Sequence, residues 1–341
     1  MAGVVTSVLL GRFIGAEISL TVSLTICAGL ICLVGMIDDR FFLTARGKLL
    51  GQILAVSPMV MVGPSIEWIS CFGGEISLGW FAVPWTLGWL LLGMNALNLL
   101  DGSDGLASTV GILISLAVAV VAAAQGLAAV AMLALVMAVA VAGFLVYNLP
   151  PARIYLGDSG STLIGFMATS LAMHVSCIWP GTMDLPVFGL LLFVPLFDTS
   201  LAILRRTLKG QAVWTGDRGH LHHQLQDRGF TATKILLVLG GLGLAAGLAA
   251  CAAVCWHQEL LATLALASLT GLLIYRQWIA RQEWLLLVRL LHQWSGASLP
   301  KPSALPPAVQ PEWVLRPLVL DEPMQTPSPV GDRVHQERRA A

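Results

Sequence analysis

Long apolar runs separated by short polar links fill the chain up to residue 275. The run from Ile18 to Ile37 has the length that crosses about 30 Å of hydrocarbon as an α-helix. Comparable runs lie at about 49–62, 83–100, 105–125, 127–148, 161–178, 186–204, 234–255 and 259–275. A weaker one occupies residues 1–16, without the charged start, apolar core and small-residue cleavage site of a signal peptide. Together they predict about ten transmembrane helices. Between residues 63 and 82 the pattern changes to alternation. Ile66-Glu-Trp-Ile-Ser and Glu75-Ile-Ser-Leu flank Gly73-Gly74, which predicts a small hairpin on the membrane surface. After Trp294 the chain turns Pro-rich and polar, with no apolar period. The expected organisation is a transmembrane domain over 1–294 and a disordered tail over 295–341.

Composition turns that pattern into a class. The chain is 57% hydrophobic and only 11% charged, against about 25% charged in ordinary soluble domains. A polytopic, all-α membrane protein accounts for the deficit. Net charge is zero, so no nucleic-acid partner is expected. The six cysteines show no metal-type CxxC spacing and mostly sit in apolar runs as small buried hydrophobes; a disulfide between Cys71 and Cys177 stays open. Threading the spans alternately through a bilayer puts Asp38-Asp39, the Asp101–Asp104 loop, the Pro150–Ser161 loop, the Arg205–Lys234 loop and the tail on one side. Every Lys and Arg except Arg12 falls there too, including the basic link Arg40, Arg46 and Lys48. The positive-inside rule makes that side cytoplasmic and places the hairpin outside. Trp68, Trp80, Trp85, Trp179 and Trp256 gather near the outer ends, as an interfacial aromatic belt does.

Three polar clusters meet the ends of apolar runs: Ile37-Asp38-Asp39-Arg40, Asn95-Ala-Leu-Asn98-Leu-Leu-Asp101-Gly-Ser-Asp104-Gly, and Leu156-Gly-Asp158-Ser-Gly-Ser161. Charges near hydrocarbon are expensive, about 2.5–3.5 kcal/mol each at a helix centre, so clusters that persist there point to use. Carboxylates and amides without soft ligands suit a hard cation. Mg²⁺ takes one or two such groups plus substrate phosphates. The loop Thr215-Gly-Asp217-Arg218-Gly-His220-Leu-His222-His223 adds Arg for phosphate and His for hydrogen bonding or proton transfer. Metal-binding oxygens facing an Arg/His clamp make the layout of phosphoryl transfer. Glycine turns ahead of two spans offer backbone N–H groups to an anion.

Each piece also has a bland reading. Asp38-Asp39 alone is a solvated helix end. The three histidines alone are a zinc or nickel site short of a fourth ligand, and Gly157-Asp158-Ser159-Gly160 is a protease serine without its His and Asp. Asp101-Gly-Ser-Asp104 lacks the remaining ligands of a calcium loop. Asn95 reads equally as a helix-packing amide. Asp198, in Pro195-Leu-Phe-Asp198, is intramembrane and on that ground a functional candidate. A transporter with coupling carboxylates would call for mid-span polar residues and inverted repeats; here the polar residues crowd the span ends and no repeat is visible.

Taken in order, Gly35-Met-Ile-Asp38-Asp39-Arg40, the Asn95–Gly105 stretch, Leu156-Gly-Asp158-Ser-Gly-Ser, Pro195-Leu-Phe-Asp198, Arg205-Arg206-Thr-Leu-Lys209-Gly210 and Asp217-Arg218-Gly-His220-Leu-His222-His223 resemble the polyprenyl-phosphate N-acetylhexosamine-1-phosphate transferases, glycosyltransferase family 4. The likeness covers about residues 3–275, and the His loop is similar to the branch that uses UDP-N-acetylglucosamine. The resemblance implies a bacterial inner (plasma) membrane protein of eleven transmembrane helices, the first missing from the ten here, with a cytoplasmic active site. It implies transfer of a HexNAc-1-phosphate, GlcNAc-1-phosphate foremost, from a UDP-sugar to undecaprenyl phosphate. UMP leaves and lipid-linked cell-envelope glycan synthesis begins; UDP-MurNAc-pentapeptide is the alternative donor. Asn98 and Asp158 resemble the Mg²⁺ ligands, with Mn²⁺ as a substitute. Asp38, with Asp39 beside it, resembles the catalytic base or nucleophile, and Asp101 supports the metal site. Asp104 resembles the uracil contact. Arg218, His220, His222 and His223 resemble the loop that holds diphosphate and sugar, His222 being counted as catalytic. A homodimer stays open. Family members carry a further N-terminal span and a basic loop ending in a glycine turn. This sequence starts at the end of that turn, Ala2-Gly3, which reads as a late start or a truncation.

Overall fold

The computed structural model describes residues 18–62, 66–71, 73–179, 181–212 and 219–275. The expected span at 1–16, Arg218 and the tail at 295–341 lie outside the described residues. In chain order the elements are α1 (Ile18–Phe41), α2 (Ala45–Val62), β1 (Trp68–Cys71), β2 (Gly74–Ser77), α3 (Ala82–Leu100), α4 (Leu106–Ala124), α5 (Ala128–Asn148), α6 (Gly157–Val175), β3 (Cys177–Trp179), β4 (Thr182–Asp184), α7 (Leu185–Leu191), α8 (Phe193–Leu208), α9 (Leu221–Gln226), α10 (Ala232–Cys255) and α11 (Glu259–Tyr275).

α6 is the hub, packed against α1, α3, α4, α5 and α7. Every residue from Ser161 to Met173 is buried. Buried hydroxyls are costly unless bonded. Here Ser161, Thr162 and Ser170 each donate to the carbonyl four residues back, on Gly157, Asp158 and Phe166, which satisfies them inside the helix. Small residues let the neighbours come close. A Cβ at Gly35 of α1 would lie 2.3 Å from Ser159 Cα, and one at Gly165 would lie 2.7 Å from the Met94 carbonyl oxygen. Large apolar side chains face outward instead: Ile26 and Leu33 on α1, Val139 on α5, Leu244 and Leu248 on α10. An apolar exterior around a core with polar groups suits a lipid surround.

Among the described residues, five segments are long and apolar enough to cross a membrane: Val22–Phe41, Gly79–Leu100, Leu106–Ala124, Ala128–Asn148 and Ala232–Cys255. The count becomes six if α7 and α8 are taken as one span through their 96° bend. The chain is thus a multi-pass membrane protein, but length and apolarity alone do not reach the expected ten. The reasons are local. α2 opens on Arg46 and Lys48, α6 is rich in Ser, Thr and Gly because helices rather than lipid surround it, and α11 is short at 17 residues. The run expected as one span at 186–204 is broken at Leu192. α6 also starts four residues ahead of the expected 161, which places Asp158 in its first turn.

The expected hairpin is present, with Trp68 opposite Ser77 and Cys71 opposite Gly74. It is half of a four-stranded sheet in the order β2-β1-β4-β3, in which β1 runs parallel to β4. Strands of three residues carry no readable alternation, so β3 and β4 escape the sequence pattern. Asp184 then caps α7, its Oδ1 accepting from the Val187 N–H at 2.9 Å. The sheet also closes the disulfide question. Cys71 is on β1 and Cys177 on β3, with β4 between them, so two strand spacings of about 4.8 Å separate them. That exceeds disulfide reach, and both thiols are free.

Because the nearest atoms at Gly35 are backbone, Gly35→Ala is expected to push α1 off α6 and cost about 1–3 kcal/mol. A lower unfolding temperature in detergent checks it, and an unchanged one would contradict the close packing.

Candidate active site

Three helix ends bring one oxygen each to a single ammonium. Lys48, in the first turn of α2, reaches Asp158 Oδ1 at 2.5 Å, Asp38 Oδ2 at 2.9 Å and Asn98 Oδ1 at 3.4 Å. Asp38 comes from the last turns of α1, Asn98 from the last turn of α3 and Asp158 from the first turn of α6. Asn98 is oriented by its other end, where Nδ2 donates to Asp158 Oδ1 and to Ser161 Oγ, both at 2.7 Å. Asp38 Oδ1 accepts the Leu43 N–H at 2.8 Å, closing the α1–α2 turn.

The neighbouring acids do different work. Asp39 turns away from Lys48, and its two oxygens accept the N–H groups of Asp158 at 2.7 Å and Ser159 at 3.1 Å. A carboxylate on the first turn of a helix satisfies orphan donors and meets the positive end of the dipole. Asp104 Oδ2 accepts the Ala152 N–H at 3.0 Å, tying down the loop between α5 and α6. Asp101 ends α3. Burial, followed by the Asp158 and Asp39 carboxylates, pushes it up to about 7.

The histidine loop lies against the same turn. His222 is buried, and a Cβ at Gly102 would meet its Nε2 at 2.5 Å. Gly102 therefore leaves room for the ring. Burial first, then His223 and His220, hold His222 down to about 4 against the pull of Asp198, so the ring is neutral near neutrality. Neither of its nitrogens has a hydrogen-bond partner among the described residues. Buried orphans of this kind call for a bonding group that arrives from elsewhere. The His223 ring is tilted by 45° against that of His222, with centroids 4.1 Å apart, and contacts Gln226 at 3.2 Å, while His220 faces Asp198 at 2.8 Å.

The expected residues fall into two sets. Asp38, Asn98 and Asp158 converge on Lys48, with Asp101 near them, and His220, His222 and His223 form the facing wall. Asp39 and Asp104 hold backbone beside the site, and Arg218 lies outside the described residues. The sequence registers Lys48 only as one of the basic residues that mark a membrane side. Its partner Asp158 lies 110 positions away, and no local spacing links them. Asn95 turns out to be a packing amide, exchanging hydrogen bonds with Gln52 at 2.8 and 3.2 Å.

The donor set can be tested against a metal. Three oxygens already surround one positive charge, and they include no sulfur or imidazole, which fits a hard cation. Among the described residues, no group of three or more His, Cys, Asp or Glu is arranged to hold a metal. A cation here would accordingly need oxygens from a ligand, as Mg²⁺ usually does. The same finding gives no support to a zinc or nickel site on the three histidines.

The sequence profile of glycosyl transferase family 4 matches residues 21–176, which include Asp38, Lys48, Asn98, Asp101, Asp104 and Asp158. The chain is 33% identical over 225 residues to a probable undecaprenyl-phosphate N-acetylglucosaminyl 1-phosphate transferase of Bacillus subtilis, covering 65% of this chain and 62% of that protein. It is 36% identical over 244 residues to a decaprenyl-phosphate N-acetylglucosaminephosphotransferase of Mycolicibacterium smegmatis, covering 64% and 59%. A phospho-N-acetylmuramoyl-pentapeptide-transferase of Listeria welshimeri is 29% identical over 253 residues, covering 70% and 76%. The chain thus spans 62% and 59% of the first two relatives.

The sign of the Asp101 effect gives a test. The folded protein keeps a proton there up to about 7, whereas the ordinary value is 3.8. The stability tied to this group therefore falls as pH rises between those values. In chelator, Asp101→Asn is expected to unfold at a higher temperature than wild type at about pH 8, the gap closing by about pH 4. Thermal scans across that range check it, and a gap that does not change with pH would count against the assignment.

Proposed function

Because the chain belongs to glycosyl transferase family 4, we propose that it moves a HexNAc-1-phosphate, specifically GlcNAc-1-phosphate, from a UDP-sugar to undecaprenyl phosphate. One observation carries the reading: Asp38, Asn98 and Asp158 gather around one positive charge beside a buried histidine whose two nitrogens have no partner among the described residues. The reaction needs that pairing. A phosphate oxygen of the lipid attacks the sugar-bound phosphorus, the bond from that phosphorus to the UMP oxygen breaks, and UMP leaves with the electron pair. Two phosphate groups must approach each other, so their mutual repulsion has to be offset by fixed positive charge and hydrogen-bond donors.

The residues divide that work. Asn98 and Asp158 would hold Mg²⁺, or Mn²⁺ in its place, and the bound cation would neutralise the donor diphosphate. Lys48 supplies a fixed charge at the same point. Asp38, held by Lys48 and the Leu43 N–H, stays oriented toward the acceptor phosphate. His222 donates or accepts at the diphosphate, which fills its orphaned nitrogens. His223, His220 and Arg218 complete the sugar-phosphate wall, and Asp104 keeps one oxygen for the uracil. Basic residues cluster at the site end of the helices, which supports a site on the cytoplasmic side of a bacterial plasma membrane.

The Listeria relative favours a second donor, UDP-MurNAc-pentapeptide, within the same reaction. The transport reading gains a bent helix pair around buried Asp198, a feature of transporter sites. Both Asp198 oxygens are nevertheless engaged by the His loop, which gives this carboxylate a structural partner on each side.

Purified protein incubated with undecaprenyl phosphate, Mg²⁺ and radiolabelled UDP-GlcNAc is expected to yield lipid-soluble label and UMP. UDP-MurNAc-pentapeptide in its place tests the second donor. Asp158→Ala and Asn98→Ala are each expected to abolish product without unfolding the protein. Activity within a few-fold of wild type in both would refute the metal roles. His222→Ala is expected to lower turnover by more than about tenfold.

A further inference from the structure

One buried carboxylate holds the histidine loop by two contacts. Asp198 lies on α8 and is fully buried. Its Oδ1 accepts the Leu221 N–H at 2.8 Å, and its Oδ2 faces His220 Nδ1 at 2.8 Å. Seven residues on, along the same face of α8, Arg205 is buried as well. A Cβ at Gly219 would meet its guanidinium at 2.5 Å. One helix face therefore sets both sides of the segment Gly219–Leu221. From there the rings continue the line. His220 lies nearly parallel to His222, with centroids 6.0 Å apart and 9° between the ring planes, and His222 rests on Gly102 of the Asp101–Asp104 turn.

We propose that Asp198 is a positioning residue of the transferase, fixing His220 with its proton on Nδ1 and so seating the histidine loop against the Asp101–Asp104 turn. This deepens the reading given under Proposed function and rests on it. A carboxylate only accepts hydrogen bonds, so a neutral imidazole 2.8 Å away carries its proton on Nδ1. Nε2 is then bare and available to a substrate hydroxyl or a protonated phosphate. Asp198 touches no reacting atom; it acts through His220.

Two roles can be told apart chemically. If Asp198 only capped the start of α9, an amide oxygen would replace it at small cost. The second contact is what an amide cannot reproduce. With Oδ1 on the Leu221 N–H, Asn presents Nδ2, a donor, to His220 Nδ1 and drives the ring proton to Nε2. Asp198→Asn therefore preserves shape and inverts the tautomer.

The test uses the full chain in detergent with ¹⁵N-labelled histidine. Ring-nitrogen shifts, assigned by the signal lost in His220→Gln, are expected to show Nδ1–H at His220 in wild type and Nε2–H in Asp198→Asn. In the transferase assay, Asp198→Asn is expected to lower kcat by about tenfold or more while KM for UDP-GlcNAc stays within about threefold. Asp198→Asn combined with His220→Ala is expected to be no slower than His220→Ala alone. An unchanged ring tautomer in Asp198→Asn, or losses that multiply in the double variant, would overturn the proposal. The two readings fail separately. A wild type inert with every UDP-sugar but showing the tautomer switch refutes the transferase. An active wild type whose tautomer ignores Asp198→Asn refutes the positioning role.

Discussion

The arrangement depends on the field of one lysine. Asp38, Asn98 and Asp158 sit on three helices whose ends would otherwise bring negative and polar groups together in a poorly solvated place. At about 4 Å, like charges repel by roughly 4 kcal/mol at an effective dielectric of 20. The Lys48 ammonium turns that repulsion into attraction, and the ends of α1, α2, α3 and α6 meet because of it. At Asp101, burial first and then the Asp158 and Asp39 carboxylates push the carboxyl up to about 7. Placing an anionic substrate in such a site requires further positive charge, which is why a divalent cation belongs in the proposed reaction.

What the sequence could announce follows from how local each signal is. Apolar runs are local, so the helices from 18 to 275 are legible almost to the residue at 82–100, 128–148 and 259–275. The clusters around Asp38, Asn98 and Asp158 are legible as polar groups at hydrocarbon edges, and order along the chain brings in the family. Three things stay hidden. The small strands β3 and β4 are too short to carry a period. The break at Leu192 lies inside a continuous apolar run, and the pairing of Lys48 with Asp158 spans 110 positions. Asp39 is the instructive case, because its neighbour Asp38 faces Lys48 while Asp39 itself caps α6. Adjacent residues on a helix end point in different directions, and a motif written as a pair conceals that.

The bend between α7 and α8 adds a second layer of organisation. A straight span over 185–208 would carry Asp198 and Arg205 along a single axis through the bilayer. Turning by 96° at Leu192 instead lays a polar-faced helix beside the site, with Asp198, Arg205 and Arg206 all buried on it. The acid cluster is thus built from helix ends and the histidine wall from a helix flank. They meet where the ring of His222 occupies the space above Gly102.

The buried hydroxyls of α6 bear on how the molecule comes to be. A segment with Asp158, Ser159, Ser161, Thr162, Thr169 and Ser170 partitions poorly into lipid by itself. It enters readily only where other helices already offer a protein surround. Synthesis proceeds from α1 to α5 before α6 emerges, so α1, α3, α4 and α5, four of the five helices that enclose it, exist in time to receive it. The order of the chain is in this sense an assembly schedule, with the least lipid-soluble helix arriving after most of its shelter.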